Sequence, residues 1–368
     1  MATTSLEQLT ALGVSVWLDD LNRNRLDSGN LAQLLETRAV RGVTSNPAIF
    51  ESAISKGAAA YASDLAALAA AGKDVDAIIQ QLTSDDVRRA CDLLLPVWAS
   101  SNGVDGRVSL EVDPRLAHDT AGTIEQAASL WSLVDRPNLM IKIPATKAGL
   151  PAITATIAAG ISVNVTLIFS VERYREVFAA FEAGLTQAAA AGRDLSTIHS
   201  VASFFVSRVD TAVDPQLDAM SNGAAAELRG KAAIANAVLA WEAFLDVTST
   251  ASWTTLASSG ANAQRPLWAS TGVKDPAYDD TRYVIELAVN GCVNTMPEAT
   301  MEAVFDHGTF AGDTISSRID DARATWTALE AIGIDRLAVC EKLEADGVAS
   351  FISAWERLRD TVSAAMTN

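Results

Sequence analysis

The sequence predicts an α/β protein folded as one closed (β/α)8 TIM barrel, with additional helices inserted and at the C-terminus. Three observations lead there. Eight short apolar runs alternate with helical stretches, and repeated βα order implies a parallel sheet with right-handed crossovers. No GxGxxG or GxxxxGK(S/T) follows any of these runs, which removes the usual phosphate device of open doubly wound sheets. No Pro/Gly/Ser-rich linker cuts the chain, so residues 1–368 read as a single domain.

Taken in order, Thr4-x-x-Glu7 has the form of a capping box, and Leu6, Leu9 and Leu12 keep helical spacing up to a stop at Gly13. Val14–Leu18 then reads as a strand ending in Asp19-Asp20, and Leu31, Leu34 and Leu35 mark a second helix. Val43 opens a second strand that Pro47 halts. From there to Gly103 run about 55 alanine-rich helical residues, more than one βα unit needs, so extra helices are inserted. Strands follow at Gly106–Pro114, Asn138–Thr146, Ile161–Phe169 and Val201–Val209, with helices Thr120–Leu133 and Val171–Ala191 between them. A helix over Ala224–Val247 leads to strand Pro266–Thr271, and the last strand is Cys292–Met296. Helices carry the remainder, with Leu337, Leu343, Phe351, Trp355 and Leu358 as core contacts.

Composition bounds the function. With 49% hydrophobic and 20% charged residues the chain is globular. A net charge of −17 argues against nucleic acid as a partner, and a phosphate-bearing substrate would need a local basic pocket. Three scattered cysteines, Cys91, Cys292 and Cys340, read as buried thiols of a reducing compartment. His118, His199 and His307 carry no metal-ligand spacing, so neither a metal nor another cofactor is expected. Met1–Gly13 is no signal peptide, and no apolar run reaches about 20 residues, so no membrane partner and a cytoplasmic location are expected. Monomer and homodimer both stay open.

Within Asn138–Thr146 stands a single Lys142. A lysine in an apolar run snorkels to water, pairs with an acid or loses its charge, and a neutral amine attacks carbonyl carbon to give a Schiff base. Catalysis in barrels sits at the C-terminal ends of strands. Those ends carry Asp19, Asn46, Glu111, Lys142, Asn164, Thr166, Ser203, Arg208 and Ser270. Each has a bland alternative: Asp19 and Asn46 as a cap or turn, Thr166 as an ordinary strand residue, Arg208 paired with Asp210 at the surface. Together they suit metal-free cleavage and formation of a carbon–carbon bond beside a ketone. Lys142 would supply the amine, Asp19 and Glu111 would transfer protons, and the amides and hydroxyls would hold substrate hydroxyls and a water.

The run Gly42-Val43-Thr44-Ser45-Asn46-Pro47 resembles the amino-terminal signature of transaldolases, and Asn138–Thr146 resembles their Schiff-base lysine signature. Gly106–Asp113, Ser162–Phe169 and Ser203–Arg208 follow in the family's order, so the resemblance spans about Asp19 to Ser270. It implies transfer of a dihydroxyacetone unit between sugar phosphates. Lys142 would form the imine with a ketose phosphate, and Asp19, preferred over Asp20, would accept the C4 hydroxyl proton. Glu111 would act through a water held with Thr166. Asn46 and Asn164 would hold the three-carbon unit, Arg208 would bind phosphate, and Ser203 would line the pocket beside Ser270. The second phosphate-binding arginine of many transaldolases has no counterpart: Gly272 stands near that position, with Lys274 as the substitute cation. Competing readings are a related aldolase releasing free dihydroxyacetone, disfavoured by Phe205 where that enzyme carries tyrosine, and a non-catalytic sugar-phosphate-binding barrel.

Overall fold

The computed structural model describes residues 3–220 and 223–366. Eight parallel strands pair in sequence order and close into a barrel. They are β1 (Ser15–Leu18), β2 (Gly42–Val43), β3 (Arg107–Glu111), β4 (Leu139–Pro144), β5 (Val163–Ile168), β6 (Ser200–Phe205), β7 (Arg265–Ala269) and β8 (Val293–Met296). Closure runs β1 against β8, from Ser15 opposite Val293 to Leu18 opposite Met296. The strands are buried on both faces, which is why they read as continuous apolar runs.

Alternation along the strands divides the side chains between two cores. The larger core lies between the strands and the surrounding helices. A separate cluster fills the barrel, where Trp17, Met140, Val201, Leu267 and Val293 come from five different strands. Trp17 is held by its indole Nε1, which donates to Ser15 Oγ at 2.9 Å. Gly42 of the neighbouring strand is the other half of that fit, because a Cβ there would lie 2.4 Å from the indole ring. On β5 the pairing with β6 shifts register between Val165 and Ile168, and Leu167 adopts φ 60°. That bulge turns Leu167 toward Phe169 and Phe205 in the interior cluster.

The extra residues after β2 form three helices, Pro47–Lys56, Ala58–Ala70 and Val75–Ser100, as the surplus length implies. The N-terminal capping box is present: Thr4 and Glu7 cap one another, and Gly13 ends the helix at φ 101°. Three expectations are corrected. Strand β6 stops at Phe205, and Ser207, Arg208 and Val209 begin the helix Ser207–Met220. The amides of Val206 and Ser207 still reach Ala269 and Ser270 carbonyls at 2.9 and 3.0 Å, after which Val209 N donates to Val206 O and the chain turns helical. The helix read over Ala224–Val247 is two, Gly223–Leu228 and Ala232–Thr248, broken at Gly230 with φ 70°. Leu337 is 49% exposed, whereas Phe351, Trp355 and Leu358 on the same helix are buried.

That C-terminal helix, Arg336–Met366, packs on the inserted helices and on Ser207–Met220, and it reaches β5 at the barrel mouth. Among the described residues, no helix is long and apolar enough to cross a membrane.

Candidate active site

Register sets the first three residues. Glu111 on β3 lies level with Lys142 on β4, and Lys142 lies level with Asn164 on β5. Partners in a parallel sheet point to the same face, so an acid, an amine and an amide converge near the C-terminal end of the barrel. Lys142 is 4% exposed and Glu111 7%. The Lys142 ammonium sits 3.2 Å from Glu111 Oε2 and donates to the Ser45 carbonyl at 3.1 Å. Of the three fates open to a buried lysine, pairing with an acid is the one observed.

Glu111 is held well above the usual carboxylate range, at about 7, because burial penalises its charge. The Lys142 charge pulls it back, and Asp19 pushes it up again. Glu111 Oε1, the oxygen turned away from Lys142, and Thr166 Oγ1 are buried with no hydrogen-bond partner among the described residues. Buried polar atoms left so are costly, so these are the places where a substrate hydroxyl or a water is bound most favourably.

Asp19 follows β1, with its amide donating to Met296 O at 2.9 Å. Thr44 Oγ1 donates to Asp19 Oδ1 at 2.6 Å, and Thr295 Oγ1 lies 2.6 Å from Thr44 Oγ1. With Asp19 ionised, Thr44 has given its one proton away, so Thr295 donates to Thr44. Desolvation raises the Asp19 pKa, offset by the charge of Lys142, by Thr44 and, more weakly, by Arg208. Asp20 points elsewhere: it pairs with Arg25 at 2.6 Å, and Arg25 pairs in turn with Glu298 beyond β8 at 2.7 Å. A second strap sits behind the same loop, where Arg23 and Tyr61 both bond the fully buried Asp86, at 2.9 and 2.7 Å. These straps fix the loop that presents Asp19.

Asn164 is fully buried between two hydroxyls, donating to Ser109 Oγ at 2.9 Å and accepting from Ser203 Oγ at 2.7 Å. Asn46, whose ordinary alternative is a turn before proline, instead caps the helix Pro47–Lys56 by accepting from Ile49 N at 3.0 Å. Phe205 packs on Phe169 with ring centroids 5.1 Å apart. Arg208 lies over the Phe205 ring at 5.2 Å and has no ion-pair partner among the described residues. Burial lowers its pKa, and Asp19 partly offsets that. Asp210 is not its partner: Asp210 is buried and accepts from Tyr283 Oη and Ala233 N, each at 2.7 Å. Ser270, at φ 56°, brings its hydroxyl 3.0 Å from that of Ser207.

The structure does not gather Lys274 with the rest. It lines a cavity of about 350 Å³ with Asp210, Asp214 and Tyr283 outside the barrel, and a Cβ on Gly272 would lie 3.9 Å from its ammonium. Thr44, Ser45, Ser109 and Thr295, which the sequence reading does not single out, complete the surroundings with Phe351, expected only as a core contact. For Thr44 and Ser45 the signal was present, inside the quoted run Gly42–Pro47. All three cysteines are buried and unpaired. Among the described residues, no group of three or more His, Cys, Asp and Glu side chains is placed to hold a metal ion.

A lysine, two carboxylates and an arginine gather at the C-terminal mouth of a closed barrel, the end at which (β/α)8 enzymes carry out their chemistry. Comparison with known proteins gives the family. The model of the family described as transaldolase/fructose-6-phosphate aldolase matches residues 16–362. A transaldolase of Thermobifida fusca is 59% identical over 358 residues, covering 97% of each chain. Transaldolases of Mycobacterium tuberculosis and Mycolicibacterium smegmatis are each 58% identical, over 355 and 356 residues, covering 95–97% of either chain. The chain belongs to the transaldolase/fructose-6-phosphate aldolase family.

Proposed function

We infer that the chain is a transaldolase, a transferase that moves a dihydroxyacetone unit between sugar phosphates through a Schiff base on Lys142. The observation that carries this reading is the enclosed Lys142–Glu111 pair, with Asp19 electrostatically coupled to both members. The donor would be a ketose phosphate such as fructose 6-phosphate or sedoheptulose 7-phosphate, and the acceptor glyceraldehyde 3-phosphate or erythrose 4-phosphate. Those substrates are the currency of the pentose phosphate pathway, in the cytoplasm.

The steps follow from the groups present. Glu111 takes a proton from the Lys142 ammonium, and the neutral amine adds to C2 of the ketose. Loss of the C2 hydroxyl as water, with the proton returned by Glu111, leaves a protonated imine. Thr166 Oγ1 and Glu111 Oε1, both buried without a hydrogen-bond partner among the described residues, would hold that water. Asp19 then accepts the C4 hydroxyl proton, the C3–C4 bond breaks, and its electrons flow into the imine to give an enamine. Asn164, fixed by Ser109 and Ser203, has an amide hydrogen left for the hydroxyls of the three-carbon unit. The departing aldose is replaced by the acceptor, the enamine carbon attacks its aldehyde, and Asp19 returns the proton. Hydrolysis of the new imine frees the product. Arg208, unpaired and half-buried, is the residue to hold the phosphate.

The test is borohydride reduction in the presence of fructose 6-phosphate, followed by peptide mass mapping. A reduced three-carbon adduct on Lys142 is expected. A folded protein with no adduct there would sink the reading.

A further inference from the structure

The C-terminal helix supplies one residue to the site that neither the reaction nor the strands account for. Phe351 is 3% exposed, and its ring centroid lies 5.8 Å from the Lys142 ammonium, within the range of a cation–π contact. It belongs to the interior apolar cluster with Met140, Leu167, Phe169 and Phe205, not to the core beneath the helices. One turn earlier, about 6 Å along the axis, stands Gly347. A Cβ at Gly347 would come within 3.0 Å of Leu167 Cδ2 and 3.5 Å of Arg208 Nη1. The missing side chain is what lets the helix lie so close to the mouth. Cys340 fastens the same face by donating from Sγ to Phe169 O at 3.2 Å.

We propose that Phe351 is a specificity-determining residue, whose ring keeps bulk water from the enamine carbon, apart from the single water assigned to Glu111 and Thr166, and so commits the three-carbon unit to transfer. This rests on the Schiff-base reading given above. The enamine on Lys142 has two exits. In transfer, C3 forms a bond to the acceptor's carbonyl carbon. In release, C3 takes a proton instead, water adds to C2, the C2–N bond breaks, and dihydroxyacetone departs with the amine restored. The proton for C3 must arrive through water or a hydroxyl. Phenyl rings carry neither, and Phe351 with Phe205 and Phe169 presents three of them to this end of the barrel.

The measurement is the fraction of cleaved fructose 6-phosphate that appears as free dihydroxyacetone, with and without erythrose 4-phosphate, in the full-length protein. Phe351→Ala, which opens space for water, and Phe351→Tyr, which adds a hydroxyl, are expected to raise that fraction several-fold. Phe351→Leu, which keeps the wall dry, is expected to hold it near the unmodified value. A folded alanine variant with an unchanged fraction would overturn the proposal, as would a leucine variant that shifts as far as alanine. Where the alanine variant does not fold, the tyrosine variant decides by the same criterion. Borohydride trapping of the unmodified enzyme separates the two levels. No adduct on Lys142 removes the Schiff-base reading itself. An adduct with an unmoved release fraction removes the role of Phe351 alone.

Discussion

Glu111 and Lys142 face one another from adjacent strands at the same register, carboxylate oxygen to ammonium 3.2 Å, with both side chains almost fully enclosed. Neither charge is solvated, and their mutual attraction, the Ser45 carbonyl and, at Lys142, the Phe351 ring compensate part of the burial. Desolvation outweighs the attraction of Lys142 at Glu111 and leaves it at about 7. An acid poised there gives and takes protons with similar ease at neutral pH.

The rate should therefore rise with pH through about 7 as Glu111 ionises and can accept the Lys142 proton. In Glu111→Gln that inflection should vanish and kcat fall by about 10²–10⁴. Stability carries the opposite sign. The folded-state value lies above the ordinary 4.5, so between those values the native protein binds more protons than the unfolded chain. Stability then falls as pH rises from about 4.5 to about 7, by roughly 3 kcal/mol in all. Denaturant titrations at pH 5 and pH 8 should show this slope in the unmodified protein and its loss in Glu111→Gln.

Asp19→Asn isolates the bond-breaking step. The amide oxygen still accepts from Thr44, so the local fold should persist. What is lost is the base for the C4 hydroxyl, and turnover should fall by about 10²–10⁴. Imine formation should continue. Borohydride then traps a six-carbon phosphate on Lys142 in place of the three-carbon unit, and a three-carbon adduct at normal yield would exclude Asp19 as the base. Asp20→Asn is the control, expected to leave the adduct unchanged because Asp20 is engaged by Arg25.

Arg208→Ala should weaken binding of phosphorylated donors and acceptors while sparing unphosphorylated fructose. Loss of a hydrogen bond to a charged group costs about 1.5–3 kcal/mol, roughly a 10- to 100-fold rise in KM. Arg208→Lys should recover part of this, since a lysine restores charge without the planar fork. Lys274→Ala should matter less, because Lys274 lines a cavity outside the barrel. Equal losses on fructose and on fructose 6-phosphate would show that Arg208 is not the phosphate ligand.

The legible parts of this protein were those where burial and polarity conflict along a short run. Parallel strands buried on both faces stand out as apolar segments, and Lys142 and Glu111 stand out because they interrupt them. The end of β6 is hidden for the same reason: Val206 and Val209 continue the apolar run across the point, at Ser207, where the backbone turns helical. Thr44 and Ser109 are small polar residues that loops and strands use everywhere, so nothing local marks them as neighbours of Asp19 and Asn164. Phe351 was legible only as a core residue. Helical periodicity reveals that a face is buried, not that the buried face covers a barrel mouth nearly 200 positions earlier in the chain.

Trp17 and Gly42 meet on the floor of the barrel beneath the site. Gly42 has no positive φ to explain it. It is required because the Trp17 indole occupies the space a side chain would take, with ring atoms 2.4–2.7 Å from an ideal Cβ. The indole cannot swing aside cheaply, being fully buried and bonded to Ser15. Gly42→Ala should therefore overpack the interior and cost roughly 1–3 kcal/mol in denaturant unfolding. β1 and β2 carry Asp19 and Thr44 just beyond this contact, at Leu18 opposite Val43, so turnover should fall with stability. Pairing Gly42→Ala with Trp17→Leu relieves the clash, and the double variant should lose less stability than the two single losses combined. Strict additivity, or a neutral Gly42→Ala, would mean that the indole does not set the spacing of these two strands.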